Sequence, residues 1–266
     1  MSQFDSIRPL FRSWARAAVP GSAPLVLLNS LGCSHVIWDG VVRRLPAECG
    51  VLVSDYRGHG GSGFDGPPYG FDDLVDDCLR LLDQEGVDRA HVAGISIGGM
   101  AALRLAARSP ERVASAVAMC CGGRLDEAAW RERARFVRAN GVGALIDVVV
   151  PRWFTEATRL DRPSLVHAAA ADLLSCDDEG YACLADGLAE ADLEPDLAVL
   201  TRPATIVSAE FDIATPPSQQ RRLADATASA RLVTVPGAAH LATLELPEKV
   251  AEILVGHLKW AGAFDV

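Results

Sequence analysis

His91-Val92-Ala93-Gly94-Ile95-Ser96-Ile97-Gly98-Gly99 decides how the chain is read. An apolar strand runs into a sharp turn at Ser96 and out into Met100-Ala101-Ala102-Leu103-Arg104-Leu105-Ala106-Ala107, a strongly helix-forming run. The spacing Gly94-x-Ser96-x-Gly98 is that of a nucleophile elbow. A serine on a strained turn carries its hydroxyl past the end of a sheet, and glycines stand where side chains would strike the neighbouring strand and helix. The first N–H groups of the helix have no intrahelical partner and face the serine's surroundings, where an oxyanion would form. Arg108-Ser109-Pro110 closes the helix behind.

Outward from the elbow, short apolar runs alternate with helical periodicity. Leu25 to Leu28 is a continuous apolar run, the mark of a strand buried on both faces, Val51 to Asp55 and Val113 to Cys120 read as further strands, and Ile7 to Ala17 allows one or two edge strands. Phe71, Leu74, Val75, Cys78, Leu81 and Leu82 fall on one face of a helix over 71–85, with Asp72 and Asp73 complementing its N-terminal dipole. This rhythm predicts an α/β fold, a mostly parallel central sheet with helices on both faces. From Gly122 to about Asp196 the text is helical instead, over 126–140, 142–149, 162–174 and 178–189. The strand rhythm then resumes at Pro203 to Ser208, followed by a helix with Thr215 as N-cap, a strand at Arg231 to Val235 and a last helix from Pro247. The expected organisation is a discontinuous core, 1–122 and 198–266, with a helical cap at 123–197.

A serine hydroxyl needs a positioned base, and the base needs an acid to hold its tautomer. His240, in Pro236-Gly237-Ala238-Ala239-His240, follows the last strand in a small-residue loop from which an imidazole can reach back over the sheet. Asp212 comes just past the preceding strand, and Glu210 is its competitor as the acid. The order Ser96, Asp212, His240 is the one such an elbow uses. Of the other histidines, His35, His59 and His91 lie early in the chain, His167 in the cap and His257 on what reads as a surface helix. None of them follows the last strand. The backbone N–H groups of Leu31 and Ile97, one from each strand-end loop, are the candidate oxyanion donors.

The partners are bounded by charge. With 25 Lys and Arg against 35 Asp and Glu the net charge is −10, and no dense basic run is present, so neither nucleic acid nor a membrane is an expected partner. The substrate should be a small molecule. No leader pattern opens the chain and no stretch approaches ~18 uninterrupted apolar residues, which gives a cytoplasmic expectation. Seven scattered cysteines without a Cys-x-x-Cys pair read as free thiols, and neither a cofactor nor a metal is expected.

Asn29-Ser30-Leu31-Gly32, Asp55-Tyr56-Arg57-Gly58-His59-Gly60, Gly94-Ile95-Ser96-Ile97-Gly98-Gly99 and Gly237-Ala238-Ala239-His240 resemble α/β-hydrolases of the 3-oxoadipate enol-lactonase group. The cap is similar too, in Pro151-Arg152-Trp153-Phe154-Thr155, Gly180-Tyr181-Ala182 and Ala191-Asp192-Leu193, as is Asp212-Ile213-Ala214-Thr215-Pro216. The resemblance runs from about residue 24 to 255. It departs at Cys121-Gly122-Gly123, where the group usually carries an Asn-Thr pair, and at Cys33, where a threonine is common. It implies a serine hydrolase that opens a small acidic enol-lactone through Ser96, His240 and Asp212. The alternatives are a general carboxylesterase or other carbonyl hydrolase on the same triad, and a ligand-sensing receptor on the same fold. For the substrate carboxylate, Arg152 beside Trp153, with Trp130 nearby, is the candidate binding group. Arg131, Arg135 and Arg138 read as a solvated stripe. Oligomeric state is not legible in the sequence.

Overall fold

The computed structural model describes residues 10–19 and 21–263; Ile7 to Pro9, part of the expected edge-strand region, lie outside them. In chain order the elements are β1 Arg12–Arg16, β2 Leu25–Leu28, a 3-10 turn His35–Trp38 leading into α1 Asp39–Val42, β3 Val51–Ser54, α2 Phe71–Gln84, β4 Ala90–Ile95, α3 Ile97–Arg108 and β5 Val113–Met119. Helices then follow without a strand: α4 Glu127–Asn140, α5 Ile146–Trp153, α6 Glu156–Asp161, α7 Pro163–Leu174, α8 Asp178–Glu190 and α9 Glu194–Val199. The chain closes with β6 Ala204–Ala209, α10 Pro217–Asp225, β7 Ala230–Val235, α11 Ala242–Glu245 and α12 Pro247–Trp260.

Among the described residues seven strands form one sheet in the order β1-β3-β2-β4-β5-β6-β7, parallel except for β1. β2, β3, β4 and β6 are buried along their whole length, as their apolar runs require. β1 alternates in exposure and carries Arg12 and Arg16 on the sheet edge, where charge discourages pairing with another chain. The register pairs Leu28 with Gly94, Ile95 with Met119, Met119 with Val207 and Ala209 with Val235. The loops after β2, β4, β5, β6 and β7 therefore leave one end of the sheet, the end where such folds keep their ligands.

β4 lies mid-sheet, and the turn after it holds Ser96 at φ 58°, ψ −123°. That conformation is costly for a residue with a β-carbon. It is held by Ser96 N–H donating to Met119 O (2.8 Å) and Gly98 N–H donating to Asn29 O (3.1 Å). A β-carbon on Gly98 would sit 2.5 Å from Leu28 O and 2.6 Å from Asn29 O, and one on Gly94 would sit 2.1 Å from Gly98 O. Both glycines let backbones approach where no side chain fits.

The run between β5 and β6 leaves and returns at one point. Leu193 N–H donates to Gly123 O (2.9 Å), and Arg124 and Asp192 form an antiparallel bridge. Buried Arg104, on α3, donates to Asp196 Oδ2 at 2.8 Å, Asp72 Oδ1 at 2.7 Å and Asp192 O at 2.5 Å, fixing α9 to the helix behind Ser96. Several elements differ from the sequence reading. The helix expected to stop at Val149 continues to Trp153 through Pro151, which sacrifices one backbone bond in the last turns. Thr215 is not an N-cap: Pro216 takes that position, and the Thr215 hydroxyl serves Asp212 instead. α6, α9 and α11 are too short to show a periodicity.

At the opposite end of the sheet lies a buried polar chain. His91 Nδ1 and His257 Nε2 each stand 2.7 Å from Ser115 Oγ, and His257 Nδ1 stands 2.7 Å from Thr205 Oγ1, which accepts from Arg231 Nε at 3.0 Å. His257, expected on the surface, is only 1% exposed because it faces the sheet from α12. All seven cysteines are free and buried. Among the described residues no helix is long and apolar enough to cross a membrane, and no group of His, Cys, Asp and Glu is arranged to hold a metal ion.

Two predictions follow from this packing. Burial, aided by the Arg89 charge, lowers His91 to about 4; burial, then the charges of His91 and Arg231, lowers His257 to about 3. The unfolded chain takes up these protons near pH ~6.5, so the stability from two neutral imidazoles is complete above that pH and is lost as pH falls toward the folded values. Each contributes a slope of about 1.4 kcal/mol per pH unit in that window. His257→Gln should remove one proton equivalent from the acid limb of urea-denaturation stability between pH 6 and 4; an unchanged slope contradicts the assignment. Gly98→Ala, pressed against two strand carbonyls, should cost about 3 kcal/mol or more in the same assay.

Candidate active site

Ser96 is half-buried and lines a cavity of about 220 Å³ at the loop-bearing end of the sheet. That volume is below the ~300 Å³ at which drug-sized ligand pockets begin, so the cavity suits a small molecule. Leu31, Ile97 and His240 share the lining with Ser96. Ile97 opens α3, and its N–H has no place in the helix ladder. Neither it nor the Leu31 N–H donates to a backbone carbonyl among the described residues, so both are free to face an oxygen in the cavity.

His240, in the cavity lining, meets Asp212, which lies outside it. His240 Nδ1 stands 2.9 Å from Asp212 Oδ2, and both side chains are nearly inaccessible. Asp212 Oδ1 accepts the N–H groups of Ala214 (2.8 Å) and Thr215 (2.9 Å), and Oδ2 also accepts the Thr215 hydroxyl (2.8 Å). Burial pushes the Asp212 carboxyl up, but the His240 charge and hydrogen bond, with the Thr215 donors, outweigh it and hold the group below the usual carboxylate range. An ionised Asp212 fixes the proton of His240 on Nδ1 and leaves Nε2 free to accept one. Glu210, the competing acid, is exposed and accepts the Gly237 N–H at 2.9 Å, away from the imidazole.

The His240 loop is itself pinned. Phe211 N–H donates to Ala238 O (2.8 Å), joining it to the loop that carries Asp212. Ala239 N–H donates to Glu245 Oε2 (2.6 Å), and Leu241 N–H donates to Trp153 O (2.9 Å). The small residues before His240 give the loop freedom, and these bonds remove it.

The roof comes from the helices between β5 and β6. Trp130, Arg152 and Trp153 all line the cavity, as does Arg133, which the sequence reading passed over. Arg133 lies with its guanidinium 4.5 Å from the Trp130 ring centroid and against the Tyr181 hydroxyl. It has no carboxylate partner among the described residues. The signal was present: Trp130 and Arg133 are three residues apart and share a helix face. Arg152 donates one N–H to Ile213 O at 3.2 Å, tying α5 to the loop of Asp212. Arg131, Arg135 and Arg138 are paired on the surface with Glu127 and Glu190, with Glu132, and with Glu179 and Asp186. Of the two departures from the resembled group, Cys121 and Gly122 line the cavity, while Cys33 is fully buried outside the lining, beside Asp172 and Cys176.

Comparison with known proteins finds similarity along most of the chain. Two relatives from Acinetobacter baylyi are 3-oxoadipate enol-lactonase 2, 31% identical over 84% of this chain and 84% of its own, and 3-oxoadipate enol-lactonase 1, 30% identical over 97% and 99%. Among solved structures, the enol-lactonase from Burkholderia xenovorans LB400 superposes with a TM-score of 0.89 at 32% identity, covering 95% of this chain and 98% of its own. A thermophilic esterase from Thermogutta terrifontis, solved with malate bound, superposes at 0.88 with 25% identity over 96% of each chain. The model of the alpha/beta hydrolase family matches residues 25–253, and the chain belongs to that family.

Proposed function

We propose that the protein is a serine hydrolase of carboxylic ester bonds, and that its substrate is a small acidic enol-lactone of the 3-oxoadipate type. The observation that carries this reading is a single small cavity with Ser96, His240 and two free N–H groups in its floor and Arg133 and Arg152 in its roof. The floor is equipped for acyl transfer and the roof for an anion. The enol-lactonase relatives support the same substrate class.

Ser96 Oγ attacks the lactone carbonyl while His240 Nε2 takes its proton, and the resulting oxyanion is received by the N–H groups of Leu31 and Ile97. Collapse breaks the ring C–O bond, and the leaving enol oxygen takes the proton back from His240. The leaving group stays tethered to the acyl chain, so re-closure competes with hydrolysis. Conversion of the enol to its ketone removes that competitor. Water, deprotonated by His240, then attacks the acyl-enzyme and releases the acid and Ser96. Asp212 stabilises the imidazolium in both halves.

The test is a panel of 3-oxoadipate enol-lactone, neutral lactones and simple aryl esters. Preference for the acidic lactone is expected; equal or better turnover of neutral esters would favour a general carboxylesterase, and turnover too slow to sustain a pathway would favour a receptor. Ser96→Ala and His240→Ala should each lower kcat by about 10⁶, because the residues act as one unit. Substantial residual turnover in either would place the chemistry elsewhere. Arg133→Gln or Arg152→Gln should weaken kcat/KM for the acidic lactone by about 2 to 4 kcal/mol and leave neutral esters nearly untouched. Equal losses on both kinds of substrate would sink the carboxylate role.

A further inference from the structure

Glu245 is a buried carboxylate, 3% exposed, on the short helix α11 just after His240. Its oxygens act only as acceptors. Oε2 takes the Ala239 N–H at 2.6 Å, and Oε1 takes the Thr155 N–H at 2.8 Å and the Thr155 hydroxyl at 2.9 Å. Ala239 is the residue before His240, and Thr155 closes the segment that begins at Arg152 and Trp153 in the cavity roof. A second bond runs beside it, from Leu241 N–H to Trp153 O at 2.9 Å. From below, Arg162 donates to the carbonyls of Glu245 (2.8 Å) and Leu244 (3.1 Å), holding the end of α11 in place. One carboxylate thus grips the backbone on the near side of His240 and the wall of the cavity together.

We propose that Glu245 is the positioning residue of the general base: it sets the main chain of His240 and locks it to the roof, so that roof and base hold one relative position. The inference rests on His240 being the base. Asp212 orients the imidazole ring through Nδ1, but it cannot fix where the ring's own backbone stands. That is set by Ala239 and Leu241, and of these two bonds the one to Glu245 is charge-assisted and the stronger. A catalytic group displaced by about 1 Å loses on the order of 10² in rate.

Glu245→Gln tests this, since it keeps the shape and presents an amide N–H₂ to at least one of the donors now satisfied. The readouts are kcat per folded molecule on 4-nitrophenyl acetate and on the acidic lactone, and the downfield NMR signal of the His240 Nδ1 proton, identified by its absence in His240→Ala. The expected result is a kcat lower by about 10² on both substrates, little change in KM, and a displaced Nδ1 signal. A purely structural Glu245 would give a lower Tm with kcat per folded molecule and the signal unchanged, which overturns the proposal. If Glu245→Gln yields no folded protein, Thr155→Val, which deletes one donor to Oε1, should still lower kcat severalfold; an unchanged kcat there also overturns it. Activity surviving in His240→Ala would instead refute the assignment of the base, an outcome the Glu245 variants cannot mimic.

Discussion

Ser96 holds a backbone conformation that no residue with a β-carbon adopts at ease, and its neighbours β2 and β5 help to keep it there. The restraint is the close approach of α3 to the end of β2, where Gly98 has no side chain, and to the end of β4, where Gly94 has none, together with the bond from Ser96 N–H to the neighbouring strand β5. Strain of about 1 to 3 kcal/mol is thereby carried by the sheet and not by the turn. In return Ser96 lines the cavity at the end of the sheet, and Ile97, whose N–H at the start of α3 is left without a partner among the described residues, lines it too. The rest of the site is arranged around that point. The loop after β2 brings Leu31, the loop after β6 brings Asp212, and the loop after β7 brings His240, all at the same end because the strands are parallel and in register.

Electrostatics then sort the polar groups. Asp212 is buried but surrounded by donors, so it stays charged and gives His240 a fixed tautomer. At the other end of the sheet, His91 and His257 are buried among neutral partners and an arginine, so they stay uncharged. The same side chain thus meets an ionised partner at one end of the strands and neutral hydroxyls at the other. The difference lies in one carboxylate.

What was legible in the sequence was what short-range pattern encodes. The elbow spacing, the apolar runs and the helical period of Phe71 to Leu82 each concern residues within a few turns of one another, and they locate the sheet and its loops. Asp212 and His240 could be named because a sheet of this kind delivers loops to one end. Thr215 reads as a helix cap from its place before Pro216, a local rule overridden because its hydroxyl donates to Asp212. Arg133 shares its helix with the more regular stripe of Arg131, Arg135 and Arg138, which dominates the local pattern although its partners are surface carboxylates. Glu245 had no sequence signal at all: its contact with Thr155 spans 90 positions and exists only once the chain has folded.

The paired stems at Gly123–Leu193 and Arg124–Asp192, with Asp196 held by Arg104, mean that the chain leaves the sheet after β5 and returns toward β6 through one narrow base, and the helices in between are tied down again at Trp153, Thr155 and Arg162. An insertion or deletion in that span need not shift any strand, because both of its ends are fixed before the helices begin. The roof of the cavity can therefore change in length without disturbing the strands beneath it, provided that Trp153 and Thr155, which hold the His240 loop, are kept. Room for a different ligand can be made among the other helices there, while the loops that carry Ser96, Asp212 and His240 stay where the parallel strands put them.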